Sequence, residues 1–485
     1  MGEQGDRAVA RMGWDELEES LQPADRGSPG TPSSEKALRD YFGDEEFEAL
    51  RTLAAQGRAS RSRGPASGNV VFLPGIMGSS LATVGGGDED PLWLNFLRLV
   101  TGQIKRLRLS DDGSSEADPD VVVKPTGLDK RTYARAILRL KASWTVEPFP
   151  FDWRRDIDHA ADALSAFIED RFGDQPVHLV AHSMGGLVCR TFIRRHKAQW
   201  DAMAGRDGSR GGRLVMLGTP NYGSFAIVQA MTGDETMVKL LAAADLTNSL
   251  SEVLAVIDTF VGSYQMLPWQ SKLHASLSVL FRQGNWGSCP VSERHLARAL
   301  TFQQEMGGEE TVDPGRMVYI AGCNRETVSD LKIIAPGEFD YVITHDGDGR
   351  VPHALGLLPG VPAYYVEESH GSLPKNAEVL AAVDELLEHG RTAILSDRPI
   401  LSRGIRPEAA AGGRPRGNRS RKIWFRPFPG GPGRRKPQSR TCVSRRRRSW
   451  GRSWGRAGPL GSSRRPEGRG SPRESRNPRF STSRW

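Results

Sequence analysis

Two rhythms of apolar and polar positions run along this chain. Short, mostly apolar runs, each stopped by small or turn-forming residues, occur at Asn69–Leu73, Trp144–Trp153, Val177–Ala181, Arg213–Tyr222, Met317–Cys323 and Ala363–Glu367, with a strand end and its loop at Tyr341–Arg350. Such runs predict buried strands. Between them the spacing turns to three and four. Lys130–Leu140 puts Tyr133, Ile137 and Leu140 on one face. Asp156–Phe172 does the same with Ile157, Ala161, Leu164, Ile168 and Phe172. Asn376 stands where it can cap a helix bearing Val379, Leu380, Val383, Leu386 and Leu387, and Gly390 stands where it can stop it. Strands alternating with amphipathic helices predict an α/β fold with a mostly parallel sheet and helices on both faces.

The rhythm breaks twice. From Ser224 to Pro314 several apolar-faced helical segments follow one another, at Met237–Leu241, Val253–Val261 and Leu273–Phe281, with no strand between them. That stretch reads as a helical cap inserted over the strand ends, or as an ordinary helical subdomain. Trp93-Leu94 and Phe96-Leu97 form an apolar cluster that suits either the core or an acyl pocket. The N-terminal 1–33 is polar and rich in Gly, Pro and Ser, which predicts disorder. A helix is predicted from Ser34 to Gln56, stopped at Gly57, and 34–68 then comprises that helix and a linker. The expected organisation is a core of 69–223 and 315–397, an insertion at 224–314 and a separate tail at 398–485.

Charge sharpens that last boundary. The net charge of +8 conceals two unlike parts. Residues 401–485 hold 25 Lys+Arg against 3 Asp+Glu, leaving 41 basic and 55 acidic residues for the other 400. The body is acidic, so the basic balance is no sign of a nucleic-acid-binding domain. The tail lacks the composition for a core; it suits an anionic polymer or lipid surface, or has no selected role. Cys189, Cys289, Cys323 and Cys442 form neither a disulfide framework nor a metal-binding spacing. The N-terminus has no signal-peptide apolar core, and no run reaches ~18 apolar residues. A cytoplasmic protein is expected, with peripheral contact to a membrane surface left open and the oligomeric state unassigned.

The chemistry centres on Pro176–Arg190, PVHLVAHSMGGLVCR. A buried strand, a tight turn and a helix meet at Ser183, flanked by Ala181 and Gly185. Small-x-Ser-x-small in that setting is the pattern of a nucleophile elbow. The turn lifts the hydroxyl above the sheet edge, next to a helix N-terminus whose amides can hold developing negative charge. A serine that merely caps the helix is the plainer alternative. Upstream, NVVFLPGIMGSSL runs from a strand into Pro-Gly, which suits a loop whose Ile76 amide faces Ser183, or simply a strand and its turn.

Four motifs in order, PGIMGS, FDWR at Phe151–Arg154, AHSMGG and GDGRVP at Gly347–Pro352, resemble the lecithin:cholesterol acyltransferase-like family of α/β-hydrolases, in its bacterial esterase/lipase branch. The resemblance spans about Asn69 to Gly390. Phe151 stands where the family usually has Tyr, and Arg350 where it usually has Thr. The lid disulfide of secreted members has no cysteine pair here. The resemblance implies an α/β-hydrolase fold and a triad in the chain order Ser, acid, His. Ser183, Asp348 and His370 fit, with backbone amides of Ile76 and Met184 as the oxyanion hole. The family motif selects Asp348 over Asp346. His370 follows the last strand, whereas His178 lies within a strand, His182 sits on the elbow itself, and His345 and His353 flank the acid loop as rivals. No cofactor and no metal are expected; one short acidic loop offers too few oxygens for calcium. The expected activity is hydrolysis of a lipid ester through an acyl-enzyme. The alternatives are acyl transfer from a phospholipid to an alcohol or sterol, and a catalytically silent binding fold.

Overall fold

A computed structural model describes residues 2–22, 32–85, 88–93, 102–205, 211–235, 248–272 and 275–400. The basic tail, the helical segment expected at Met237–Leu241 and the cluster residues beyond Trp93 lie outside these.

The N-terminal part departs from expectation. Residues read as disordered form α1 (Gly2–Arg11) and α2 (Trp14–Ser20), followed by α3 (Pro32–Phe42) and α4 (Asp44–Arg61). The helix expected across 34–56 is interrupted at Gly43 and runs past Gly57. Few apolar residues are needed to hold these helices. Val9, Leu17, Leu21, Leu38, Phe47 and Leu50 share one buried cluster with Ala134 and Leu138 of the body. The remaining positions are polar because they face water. That is why composition read as disorder.

The first strand of the main sheet is β1 (Asn69–Leu73); β2 (Ser79–Gly85), β3 (Asp88–Trp93) and β4 (Val123–Leu128) form a small antiparallel sheet beside it. Then come α5 (Lys130–Leu140), β5 (Thr145–Pro148), α6 (Ile157–Phe172), β6 (Val177–His182), α7 (Met184–Arg195), α8 (Lys197–Ala202) and β7 (Leu214–Leu217). The inserted stretch contributes α9 (Phe225–Met231), α10 (Leu250–Ile257), α11 (Val261–Gln265) and α12 (Glu293–Met306). Part of the helix expected at 273–281 is a 3-10 turn over Ala275–Phe281. The chain returns through β8 (Met317–Gly322), a hairpin of β9 (Thr327–Ala335) and β10 (Glu338–Thr344), α13 (His353–Gly356), β11 (Ala363–Val366) and α14 (Ala377–His389).

The main sheet has six strands in the order β11-β8-β7-β6-β1-β5, and every pairing is parallel. β6 is buried at all six positions, as its unbroken apolar run requires. Helices cover both faces, so the fold is that of an α/β-hydrolase. The sequence run at Tyr341–Arg350 is not a strand of this sheet. Tyr341–Thr344 closes the β9–β10 hairpin, whose inward residues Leu331, Ile333, Phe339 and Tyr341 pack on the core while Asp330, Lys332 and Asp340 alternate with them. The inserted helices are not a separate body either. Val253, Phe260, Tyr264, Trp269, Trp286 and Phe302 belong to the same buried cluster as the sheet face. At the C-terminal end, Leu395 is buried, the Tyr365 amide donates to the Ser396 carbonyl, and Ile400 packs on the core. The packed chain therefore extends past the boundary expected at 397.

Candidate functional site

The end of β6 places Ser183 at φ 54°, ψ −123°, a conformation that L-residues rarely adopt. Such strain persists only where the surroundings impose it. Here the Ser183 amide is held by the Leu217 carbonyl at 2.9 Å, and α7 starts at the next residue. The loop after β1 approaches very closely. A Cβ on Gly75 would lie 2.9 Å from Ser183 Cβ and 3.4 Å from its Oγ, so only glycine fits there.

Asp348 and His370 reach the same point from the other side of the sheet. The imidazole Nδ1 of His370 lies 2.7 Å from Asp348 Oδ2, and its Nε2 lies 2.9 Å from Ser183 Oγ. A carboxylate accepts only, so Nδ1 carries the proton and Nε2 is free to accept from the serine hydroxyl. The Asp348 carbonyl also accepts from the His370 amide at 2.8 Å. Asp348 is buried, and burial alone would raise its pKa. The neighbouring His370 and the amides of Val351 (2.7 Å) and Arg350 (2.9 Å) outweigh that and hold it below the usual carboxylate value. Gly218, at φ 59°, leaves room for the pair, since a Cβ there would stand 2.9 Å from Asp348 Oδ2. A base oriented by a buried carboxylate and bonded to a hydroxyl can take that hydroxyl's proton.

The rivals are placed elsewhere. The His178 ring accepts from the Arg213 amide, 3.1 Å away. His345 is exposed, and His353 Nε2 bonds the Gly322 carbonyl at 2.9 Å. Asp346 is exposed and its carbonyl receives the His353 amide. The Ile76 and Met184 amides have no hydrogen-bond acceptor among the described residues. Met184 is the first residue of α7, where the helix leaves its amides unpaired.

The loop between β1 and β2, and Ser79 where it enters β2, are pinned at several points that the sequence did not reveal. The Met77 carbonyl accepts from Trp93 Nε1 (2.8 Å), and the Ser79 carbonyl from Trp153 Nε1 (3.3 Å). The Ser79 hydroxyl accepts from the Phe151 amide at 3.0 Å. Trp93 is thus a buried support, edge-on to Trp153 at 5.3 Å, rather than a wall of an acyl pocket. FDWR also supplies Arg154, which is fully buried and paired with Asp152 (2.7 Å) and Glu116 (2.9 Å). Arg350, unusual in its motif, forms an ion pair with Glu235 at 2.6 Å.

The lecithin:cholesterol acyltransferase family model matches residues 140–377. Over that segment, just under half of its length, the chain is similar to the lecithin:cholesterol acyltransferase family. The matched segment contains Ser183, Asp348 and His370; the loop that carries Ile76 precedes it. No curated protein matches the sequence. Among solved structures, the mature form of Bacillus licheniformis lipase BlEst2 is 15% identical with a TM-score of 0.35, covering 67% of this chain and 93% of its own. The Tle4-Tli4 complex includes a chain 13% identical with a TM-score of 0.38, covering 67% and 99%. The gene lin2722 product of Listeria innocua is 15% identical with a TM-score of 0.25, covering 67% and 95%.

Proposed function

We propose that this protein hydrolyses lipid esters through a covalent acyl-serine. The reading rests on one observation above the others: the unbroken hydrogen-bond chain from Asp348 through His370 to a strained Ser183. His370 Nε2 accepts the proton as Ser183 Oγ attacks the ester carbonyl. Asp348 holds the imidazole in the right tautomer and stabilises its charge. The oxyanion is received by the amides of Met184 and Ile76, each such donor being worth roughly 3 kcal/mol in the barrier. His370 then protonates the leaving alcohol, and a water activated by the same imidazole releases the acid.

Transfer to an alcohol is the second reading, favoured by the family match. It uses the same groups, so the acceptor's concentration decides. Water at ~55 M outcompetes a dilute alcohol unless a binding site concentrates the alcohol. We therefore place hydrolysis first.

Two measurements test this. A fluorophosphonate probe should label the wild type and not Ser183→Ala; full labelling of the alanine variant, or none of the wild type, overturns the proposal, the latter in favour of an inert binding fold. A labelled phospholipid or acylglycerol in mixed micelles with a long-chain alcohol or sterol should yield mainly free fatty acid. New ester in excess at modest acceptor concentration replaces hydrolase with acyltransferase.

A further inference from the structure

His182 and Tyr133 hold a position in the site that the triad does not explain. Both are buried, and neither touches Ser183 Oγ by a hydrogen bond. The Tyr133 hydroxyl lies 2.8 Å from the Gly75 amide and 3.0 Å from His182 Nδ1. His182 Nε2 lies 3.0 Å from the His370 carbonyl. The direction of every bond in this series is fixed by valence. A carbonyl only accepts, so Nε2 of His182 carries the proton and Nδ1 is an acceptor. Tyr133 therefore donates to Nδ1, while its oxygen accepts from the Gly75 N–H. The series runs Gly75 N–H to Tyr133 O–H to His182 to the His370 carbonyl.

From this we infer that Tyr133 and His182 are positioning residues that lock the oxyanion loop to the loop of the catalytic base. This rests on the proposed triad. The Gly75 amide is engaged by Tyr133, which leaves the following Ile76 amide as the one this loop presents to the oxyanion. At the other end, the backbone of His370 is held by two bonds, its carbonyl by His182 and its amide by the Asp348 carbonyl. The imidazole is thereby aimed from its own main chain as well as from the carboxylate. The rings of His182 and His370 stand 4.9 Å apart. A charged His182 would oppose the imidazolium that His370 must become. Burial first, and the proximity of His370 second, push the His182 pKa down to about 3, so it stays neutral through turnover.

The test uses three variants in the full chain. Tyr133→Phe keeps the ring and its edge contact with Phe72 but removes the hydroxyl. His182→Phe removes both ring nitrogens. His182→Gln keeps an N–H that reaches the His370 carbonyl and an oxygen that accepts from Tyr133. On a soluble ester, kcat should fall about 10- to 100-fold in the two Phe variants, as sub-ångström misplacement of catalytic groups does. KM should hold, and Gln should recover most of kcat. Imidazole ¹⁵N spectra should show His182 in the Nε2–H form in the wild type, and in Tyr133→Phe its unprotonated Nδ1 should shift downfield as the hydrogen bond to it is lost. Unchanged kcat in both Phe variants, or a loss in all three that tracks the folded fraction, overturns the inference. If the wild type fails to label with fluorophosphonate, the hydrolase proposal falls, and the ¹⁵N spectra decide the hydrogen-bond series without it.

Discussion

His182 binds a proton far more weakly in the fold than in an unfolded chain, and that difference is a stability term with a definite sign. Its pKa is near 6.5 when free and is pushed down to about 3 by burial first and by His370 nearby; the hydrogen bond to the His370 carbonyl and the carboxylate of Asp348 pull the other way. Below pH 6.5 the unfolded state takes up a proton that the native state refuses. The folded state therefore loses up to about 1.4 kcal/mol for each pH unit from 6.5 down toward 3. Between pH 7 and pH 5, His182→Gln should show an unfolding free energy less sensitive to pH than the wild type by about 2 kcal/mol. Equal changes in unfolding free energy between the two pH values, measured by denaturant titration of both proteins, would refute this. At this scale the sequence was legible wherever position in the chain carries meaning. Ser183 lay on an elbow, and His370 stood out among ten histidines by following the last strand. Tyr133 was not legible as more than one of three apolar-face residues of a helix. A tyrosine hydroxyl that bridges two loops leaves no periodic trace. His182 sits on the elbow itself, and its bonds to Tyr133 and the His370 carbonyl depend on two segments far away in sequence.

Between single residues and the whole fold, the loop from β1 to β2 shows how motifs far apart act on one element. Trp93 holds its Met77 carbonyl, and Trp153 and the Phe151 amide hold Ser79 where the loop enters β2. Trp93→Phe keeps most of the buried surface and removes the donor to Met77. The expected outcome is a loss of about 1 kcal/mol in stability and a larger proportional loss in kcat, since the loop carries a proposed oxyanion donor. Equal activity per folded molecule would show that the loop is rigid without this bond. PGIMGS and FDWR were each readable as sequence, but their mutual contact was not, because nothing in spacing reports which indole meets which carbonyl. The partner of the strand that leads to the acid was unreadable for a related reason. Residues 338–344 alternate inward and outward as a hairpin strand does, and a strand's partner lies outside its own sequence.

Taken whole, the molecule braces its site from the N-terminal side. α5, which bears Tyr133, is covered by α1–α4 through Ala134 and Leu138, and Arg135 pairs with Glu46. Lys130 donates to the Ala10 carbonyl at 2.9 Å. Deletion of residues 1–61 should lower the melting temperature by several degrees and reduce turnover per folded molecule, read by thermal denaturation and active-site titration. An unchanged melting temperature would mean that α5 needs no cover. The strand order of the core was readable only as far as its class. Six short parallel strands share one composition, and their order is decided by packing.

That order has a consequence for the making of the protein. β1, β5, β6 and β7 occupy one contiguous side of the sheet and leave the ribosome first, bringing the oxyanion loop and Ser183 with them. β8 and β11 emerge later and add to the open edge, and with them come Asp348 and His370. During synthesis the serine thus stands without a proton acceptor until the final edge has zipped into place. On the proposed mechanism, reactivity toward an ester is acquired only with completion of the sheet.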